Sequence, residues 1–314
     1  MLISPSQLKR WGVMGMNQRN LDFIGRNNDR AKYPLVDNKL KTKRLAQKHN
    51  VRVPQLLHVV ERQYQIADAI QYLKSLEKFV VKPAKGSGGK GILVFDGRSD
   101  QGFIKASGAE VSFTDLERHL SNILAGLYSL SGVPDVVIIE SVIEFDDSFA
   151  GISHEGVPDI RLIVYKGFPV MAMLRCATKE SDGKANLHQG AVGVGLDITN
   201  GHALHAMQKG RLVSKHPDTG HNLSSIRIPN WHDLLMLAAE CYDMTELGYL
   251  GTDIILDKYQ GPMLLELNAR PGLAIQIANR LGLLKRLSII DSLEQKHRPS
   301  TDRVKIAIEH FNNS

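Results

Sequence analysis

Apolar and polar positions along the chain set out a succession of short elements. In YQIADAIQYLKSLEK (Tyr64 to Lys78) the residues Ile66, Ala69, Ile70 and Leu73 recur at helical spacing and share one side. DNKLKTKRLAQKHN (Asp37 to Asn50) is rich in helix formers, and Pro54 stops it. FVVKP and ILVF read as short strands joined by a glycine-rich loop, and FTDLERHLSNILAGLYSL as a helix capped by Thr114. DVVIIESVI is a buried strand that runs into polar sequence. In the second half, DIRLIVYKGFPVMAMLR predicts two strands joined by a Lys-Gly turn. WHDLLMLAAECYDMTEL predicts a helix, YLGTDIILDKYQGPMLLELN a hairpin, and the closing LAIQIANRLGLL is expected to be helical. Hairpins and helices mix without strict strand–helix–strand alternation, so the expected fold is α+β, in lobes that meet near Glu140.

The last hairpin carries polar residues where a buried strand should not. With KYQG (Lys258 to Gly261) as its loop, Asp257 faces Pro262, and counting outward sets Asp253 opposite Glu266. Asn268, two residues on, shares the face of Glu266. A slip of one residue would turn Asp253 to the other face. The neighbours Ile254, Ile255, Leu256, Leu264, Leu265 and Leu267 are all apolar, so the hairpin is expected to be buried and its carboxylates to need a partner. Two carboxylates and an amide are the oxygen donors that hold magnesium beside substrate phosphates.

VVKPAKGSGGKGILVF offers a second chemistry. Gly86, Gly88, Gly89 and Gly91 let backbone approach an anion closely, with Lys85 and Lys90 adding charge around Ser87. A P-loop would place its glycines before a helix, whereas this loop joins two strands and suits a flap over nucleotide phosphates. Lys82, on the strand just before the loop, is placed to reach a phosphate. A mobile hairpin turn is the plain alternative.

Composition narrows the class. A chain of 314 residues with 43% hydrophobic content suits one large or two moderate folded domains. It shows no signal-peptide core and no apolar run of the ~18 residues that span a bilayer. Two cysteines, Cys176 and Cys241, suit a reducing compartment, and the expected location is the cytoplasm. Of the net charge of +6, most sits in the first 52 residues, which hold twelve Lys or Arg against three acids. Few aromatics accompany them, so a solvated face with phosphate-binding lysines is favoured over nucleic-acid binding.

Taken in order, DNKLKTKRLA, VVKPAKGSGGKGI, VIIESVI, PDIRLIVYKGFPVMAMLR, NLHQG and GTDIILDKYQGPMLLELNARPGL resemble the motifs of ATP-grasp carboxylate–amine ligases. The likeness is greatest to the ribosomal-protein-glutamate-ligase-like branch, the alpha-L-glutamate ligase-like proteins, and spans residues 37 to 281. It implies an ATP-grasp fold of two α+β lobes with the nucleotide between them. The expected division is a basic extension over 1–36, an N-terminal lobe over 37–140 and a C-terminal lobe over 141–314. Relatives carry an α/β domain before the ATP-binding lobe, and here 36 Asn- and Arg-rich residues stand in that place, so a full-size domain is expected to be lacking.

The resemblance also implies roles. Lys39 and Lys82 would hold ATP phosphates, and the loop through Lys85, Gly86, Ser87, Gly88 and Gly89 would cover them. Backbone groups of Glu140, Ser141, Val142 and Ile143 would read the adenine edge, with Asp159 near the ribose and Lys184 and Asn186 on the nucleotide side. Asp253, Glu266 and Asn268 match the family's magnesium ligands, with manganese as a substitute. Such ligases transfer the γ-phosphoryl group to a carboxylate, and an amine displaces phosphate from the acyl phosphate. Arg161, Arg175 and Arg270 are then candidates for bidentate contacts to carboxylate or phosphate, each with a surface ion pair as its alternative. His188 could assist proton transfer, or be merely solvated. The implied partners are amino-acid or peptide carboxylates and amines, such as glutamate and a peptide end, with no membrane and room for a homo-oligomer. The rival reading is a non-catalytic nucleotide- or nucleic-acid-binding protein on the same fold.

Overall fold

The computed structural model describes residues 5–86, 88–129, 132–294 and 297–312. The chain forms two compact units: Asp37–Arg44 with Val53–Ile143, and the residues up to Val36 with Leu45–Arg52 and Glu144–Ser314. Each has its own antiparallel sheet flanked by helices, an α+β arrangement.

In the smaller unit the strands are β1 (Leu56–Val60), β2 (Phe79–Pro83), β3 (Leu93–Arg98), β4 (Gly102–Lys105), β5 (Glu110–Ser112) and β6 (Val137–Glu140), in the order β1-β6-β2-β3-β4-β5. Alternation along the central pair decides what each face carries. Phe79, Val81, Val137 and Ile139 enter a core with Phe95, Phe103 and the helices Ile66–Leu73 and Phe113–Leu124. Phe79, Phe95, Phe103 and Phe113 meet tilted or edge to face, at centroid distances of 4.8 to 5.5 Å. The intervening residues Ile138, Lys82 and Glu140 therefore belong to the opposite face, with Lys82 opposite Ile138 and Val80 opposite Glu140. Leu40, from the helix Lys39–Lys48, packs on Ile138 there. Asn38 starts that helix by accepting from the N–H groups of Leu40 and Lys41 at 3.0 and 3.1 Å.

Three expectations for this unit change in detail. The helix expected over Tyr64–Lys78 is confined to Ile66–Leu73, because Gln63–Gln65 winds as a separate 3-10 turn. Ser112, not Thr114, caps the next helix: its backbone is extended and its hydroxyl accepts from the Asp115 N–H at 3.1 Å. Ile92 belongs to the loop, and the strand begins at Leu93.

The larger unit has β7 (Asp159–Tyr165), β8 (Phe168–Cys176), β9 (Val192–Leu196), β10 (Ala203–Gln208), β11 (Arg211–Leu212), β12 (Tyr249–Asp257) and β13 (Gly261–Asn268), ordered β11-β10-β9-β8-β7-β12-β13. Helices Trp231–Thr245 and Ser300–Phe311 pack against it. The Lys-Gly turn is present, with φ of 49° at Lys166 and 82° at Gly167, the paired positive values that suit a tight hairpin. In the β12–β13 hairpin the loop is one residue shorter than expected, and Asp257 faces Gly261. Its carboxylate accepts from the Tyr259 and Gln260 N–H groups at 2.9 Å, which closes the turn tightly. The ladder would then run one step out of phase, but a bulge between Asp253 and Ile254 takes up Leu265 and restores Asp253 opposite Glu266.

LAIQIANRLGLL is helical only over Ala274–Asn279, and its last residue, Leu284, opens the next helix, Leu284–Ser292. The first helix ends at Arg280, whose φ is 51°, Gly282 leaves room for the Gly12 backbone, 2.0 Å from where a Cβ would lie, and Gln276 bonds Met14 and Leu283 across the gap. Among the described residues no helix is long and apolar enough to cross a membrane.

Candidate functional site

Lys82 and Glu140 share one face of the smaller unit's sheet, and Lys43 reaches them from the helix above. All three are nearly inaccessible, at 5, 2 and 4% exposure. The Lys82 ammonium pairs with Glu140 Oε1, and Lys43 Nζ lies 2.8 Å from Oε2 while also donating to the Pro54 carbonyl. Burial alone would raise the Glu140 carboxyl, but the two ammonium charges together hold it below its ordinary value. Lys43 goes the other way: burial, aided by the Lys82 charge and opposed by Glu140, lowers it to about 8. Next along the face, Lys39 donates to the Gly86 carbonyl at 2.7 Å.

The glycine-rich loop is fastened at both ends. Gly86 bridges to Ser129, and the neighbouring Lys85 N–H donates to the buried Asp135 carboxylate at 2.9 Å. At the far end the Gly91 carbonyl lies 3.0 Å from His119 Nε2, and the Tyr128 hydroxyl 3.3 Å from His119 Nδ1. Burial lowers the His119 pKa, which suits a neutral imidazole donating to that carbonyl. Gly91 has φ of +76°, and a Cβ there would lie 2.6 Å from the Tyr128 ring, so only glycine fits. Gly88 and Gly89, between these anchors, are exposed, and Ser87 lies outside the described residues. Ser141 exchanges bonds with Gln55, its N–H donating to the Gln55 carbonyl and its hydroxyl accepting from the Gln55 N–H, both at 3.0 Å. Val142 and Ile143 follow half-buried.

On the larger unit's sheet, register brings four strands together in one row: Met173, Arg161, Asp253 and Glu266. Asn268 stands on the same face opposite Gly251, and Asp159 opposite Arg175. Arg161 grips Asp253 through Nε and, at 2.7 Å, Nη2. Arg175 donates twice to Asp159 at 2.5 Å, and its Nη2 reaches Asp253 at 3.0 Å. The Asn268 amide points to Asp253 at 3.4 Å. Burial would raise Asp253, but Arg161 and Arg175 keep it below its ordinary range. Asp159, facing one guanidinium and the Asp253 charge, is pushed up to about 6, chiefly by burial. Gly251 is small for a reason: a Cβ there would strike Pro271 at 2.6 Å and the Arg161 stem at 3.4 Å.

The Asn- and Arg-rich N-terminal segment docks on this same hairpin. The buried Asn28 accepts from the Tyr249 N–H at 2.8 Å and donates to the carbonyls of Tyr249 and Ala269 at 2.7 and 3.2 Å. Arg19 donates to the Pro271 carbonyl at 2.8 Å, and Phe23 packs against Tyr165 and Tyr249. Arg270 is exposed, with its guanidinium 5.4 Å from the Tyr33 ring centroid. Lys184 and Asn186 lie on the loop after β8 and make local bonds: Lys184 pairs with Asp182 at 2.9 Å, and Asn186 caps the turn at His188. His188 is exposed.

Residues 18–292 match the family described as sugar-transfer associated ATP-grasp. The chain belongs to that family. Its fold is the ATP-grasp fold. Among solved structures, this ATP-grasp protein is similar to D-cycloserine synthetase DcsG, with 16% identity over 82% of this chain and 70% of that one and a TM-score of 0.45. It is also similar to phosphoribosylamine–glycine ligase from Thermotoga maritima, at 16% identity, 78% and 50% coverage and a TM-score of 0.45. D-alanyl-alanine synthetase A from Vibrio cholerae O1 biovar eltor gives 11% identity, 89% and 66% coverage and a TM-score of 0.45. The chain thus spans about half to 70% of the length of these proteins. No curated protein matches it.

The donor set of the ATP-grasp protein fits a hard cation that keeps waters and takes its other ligands from phosphate. Glu266 and Asn268 are half-buried, so a cation could be reached from solvent, and Asp253 stands across from Glu266. Asp253 would share its oxygens between a cation and the two arginines that now bind it. Among the described residues no cluster of three or more His, Cys, Asp or Glu side chains could hold a metal. A cavity of about 350 Å³ opens at the other end of the same strands, near Lys166, Tyr242 and Arg298, and involves none of these groups. Sequence reasoning missed Lys43, Asp135 and His119. Lys43 had a signal, since it follows Leu40 by three residues and precedes Ala46 by three on a buried helix side.

Proposed function

We propose that the protein is an ATP- and magnesium-dependent ligase that joins a carboxylate to an amine, releasing ADP and phosphate. The observation that carries this reading is the row Arg161–Asp253–Glu266 with Asn268, where acid oxygens and guanidinium groups stand side by side on one sheet face. That pairing of charges suits a reaction in which a phosphoryl group passes between oxygens, since such transfers depend on positioning and charge neutralisation. Lys39 and Lys82, with the loop from Lys85 through Gly91, would bind the phosphates. The backbone of Glu140 to Ile143 would bind the adenine edge, Asp159 would lie towards the ribose, and Lys184 and Asn186 would lie on the nucleotide side. Glu266, Asn268 and Asp253 would hold magnesium, which when bound neutralises charge on the phosphates. Arg175 and Arg161 would orient the anionic substrate, and Arg270, steadied by Tyr33, would receive its carboxylate.

The finer reading, an amino acid such as glutamate added to a peptide or small molecule in a cytoplasmic setting, rests on the motif likeness to the glutamate-ligase-like branch. The family's description as sugar-transfer associated widens the substrate class to sugars bearing a carboxylate or amine. The test is a panel of carboxylates and amines with magnesium-ATP, followed by ADP release and mass spectrometry of the amide, with Glu266→Ala alongside. Turnover of the variant at the parent's rate would remove Glu266 from the metal set. One observation favours the non-catalytic alternative: both oxygens of Asp253 are engaged by arginines. That alternative predicts nucleotide binding with no ADP formed from any pair in the panel.

A further inference from the structure

The smaller unit buries two ammonium groups around one carboxylate. Lys43, Lys82 and Glu140 are each more than nine-tenths buried, and the charges that act on Lys43 and Glu140 are those of the trio itself. A Lys82–Glu140 pair alone would be neutral and would offer an anion little. Lys43 changes that by standing 2.8 Å from the second Glu140 oxygen, in poor alignment for a hydrogen bond, so that it acts through its charge. Three groups then carry a net single positive charge out of contact with water. A buried charge without a counter-charge is costly, so the arrangement calls for an anion.

We infer that Lys43 is a positioning residue for nucleotide phosphate: by sharing Glu140, it keeps the Lys82 ammonium from being neutralised and leaves the trio net positive. The inference rests on the nucleotide reading above and adds to it a residue four positions beyond Lys39 on the same helix. Lys43 itself need not touch the nucleotide. Its ion pair with Glu140 and its hydrogen bond to the Pro54 carbonyl hold it within the face. Its lowered pKa accords with this, since the cluster's positive charge is then lost in mildly alkaline solution.

The experiment is calorimetric binding of magnesium-ADP to the full chain, for the parent, Lys43→Met, Glu140→Gln and the double variant. Lys43→Met, which leaves a neutral Lys82–Glu140 pair, is expected to weaken binding about ten- to a hundredfold, the worth of one charge-assisted contact. Glu140→Gln, which removes the carboxylate that both lysines share, is expected to bind more tightly than the parent, and the double variant to recover to within about fivefold of the parent, because Lys82 again carries an uncompensated charge. The parent's affinity is expected to fall between pH 7 and 9 towards that of Lys43→Met, whose own affinity stays flat. A double variant weaker than either single, or Glu140→Gln as weak as Lys43→Met, would show a purely structural trio and overturn the inference. Parent-like binding by a folded Lys43→Met would do the same. A parent that binds no magnesium-ADP would overturn the nucleotide reading itself, and this inference with it.

Discussion

Asp253→Asn separates the two jobs assigned to the charged row. Asp253 is 3% exposed and accepts two bonds from Arg161 and one ion pair from Arg175. Arginine 161 is itself 9% exposed and depends on Asp253, whereas Arg175 keeps Asp159. Removing one partner of a buried pair costs about 3–5 kcal/mol, and the retained Arg175–Asp159 pair places this case near 3 kcal/mol. Glu266→Gln changes a half-buried side chain and should cost less than about 1 kcal/mol, while abolishing ADP formation. Both tryptophans, Trp11 and Trp231, belong to the larger unit, so tryptophan fluorescence during urea unfolding reports on that unit. With a slope of about 2 kcal/mol per molar urea, the Asp253→Asn midpoint should fall by about 1.5 M, and the Glu266→Gln midpoint should stay within about 0.5 M of the parent. If Asp253→Asn unfolds with the parent, the arginine bonds do not hold this sheet face together. If Glu266→Gln unfolds as early as Asp253→Asn, Glu266 is a structural group and not a ligand.

Three further outcomes follow from the geometry. Gly91→Ala forces an L side chain into φ of +76° and against the Tyr128 ring, so magnesium-ADP affinity by calorimetry should fall about tenfold or more, with unfolding of the larger unit unchanged. Asn28→Ala leaves the buried Tyr249 N–H without its acceptor and should destabilise the larger unit by about 2–3 kcal/mol, read by the same tryptophan fluorescence. Lys43 is lowered from 10.5 to about 8, so between those values the unfolded chain binds the extra proton. The parent should therefore gain about 3 kcal/mol relative to Lys43→Met as pH rises from 8 to 10.5, measured by urea unfolding under far-ultraviolet circular dichroism.

Much of the polar face was legible because strand alternation is a local rule. Glu266 and Asn268 had to share a side whatever the register, and Asp253 joined them through a shorter loop and a bulge whose effects cancel. What the local rule could not reach was the partner of Asp253. Arg161 lies 92 positions away on β7, and only the sheet order makes them neighbours. Lys43 was hidden for another reason: among five basic residues between Lys39 and Lys48 it looks like one more solvated charge, and only the packing of Leu40 on Ile138 turns it inward. The Asn-rich stretch near residue 28 carries no periodicity at all. Its burial comes from hydrogen bonds to strand ends more than two hundred positions later.

That last attachment bears on how the molecule is made. Asn28 and Tyr249 are 221 positions apart, so at about 5–20 residues per second a ribosome completes the seat for Asn28 roughly 10 to 45 s after Asn28 itself. Until Tyr249 emerges, Phe23, buried in the finished protein, lacks one of the two tyrosine rings it packs against. The residues of the smaller unit, which end at Ile143, are all synthesised within the same interval. The unit that bears the lysine trio can therefore fold while the unit that bears Asp253 is still being translated, and Asn28, made before the trio, waits past it for its partner.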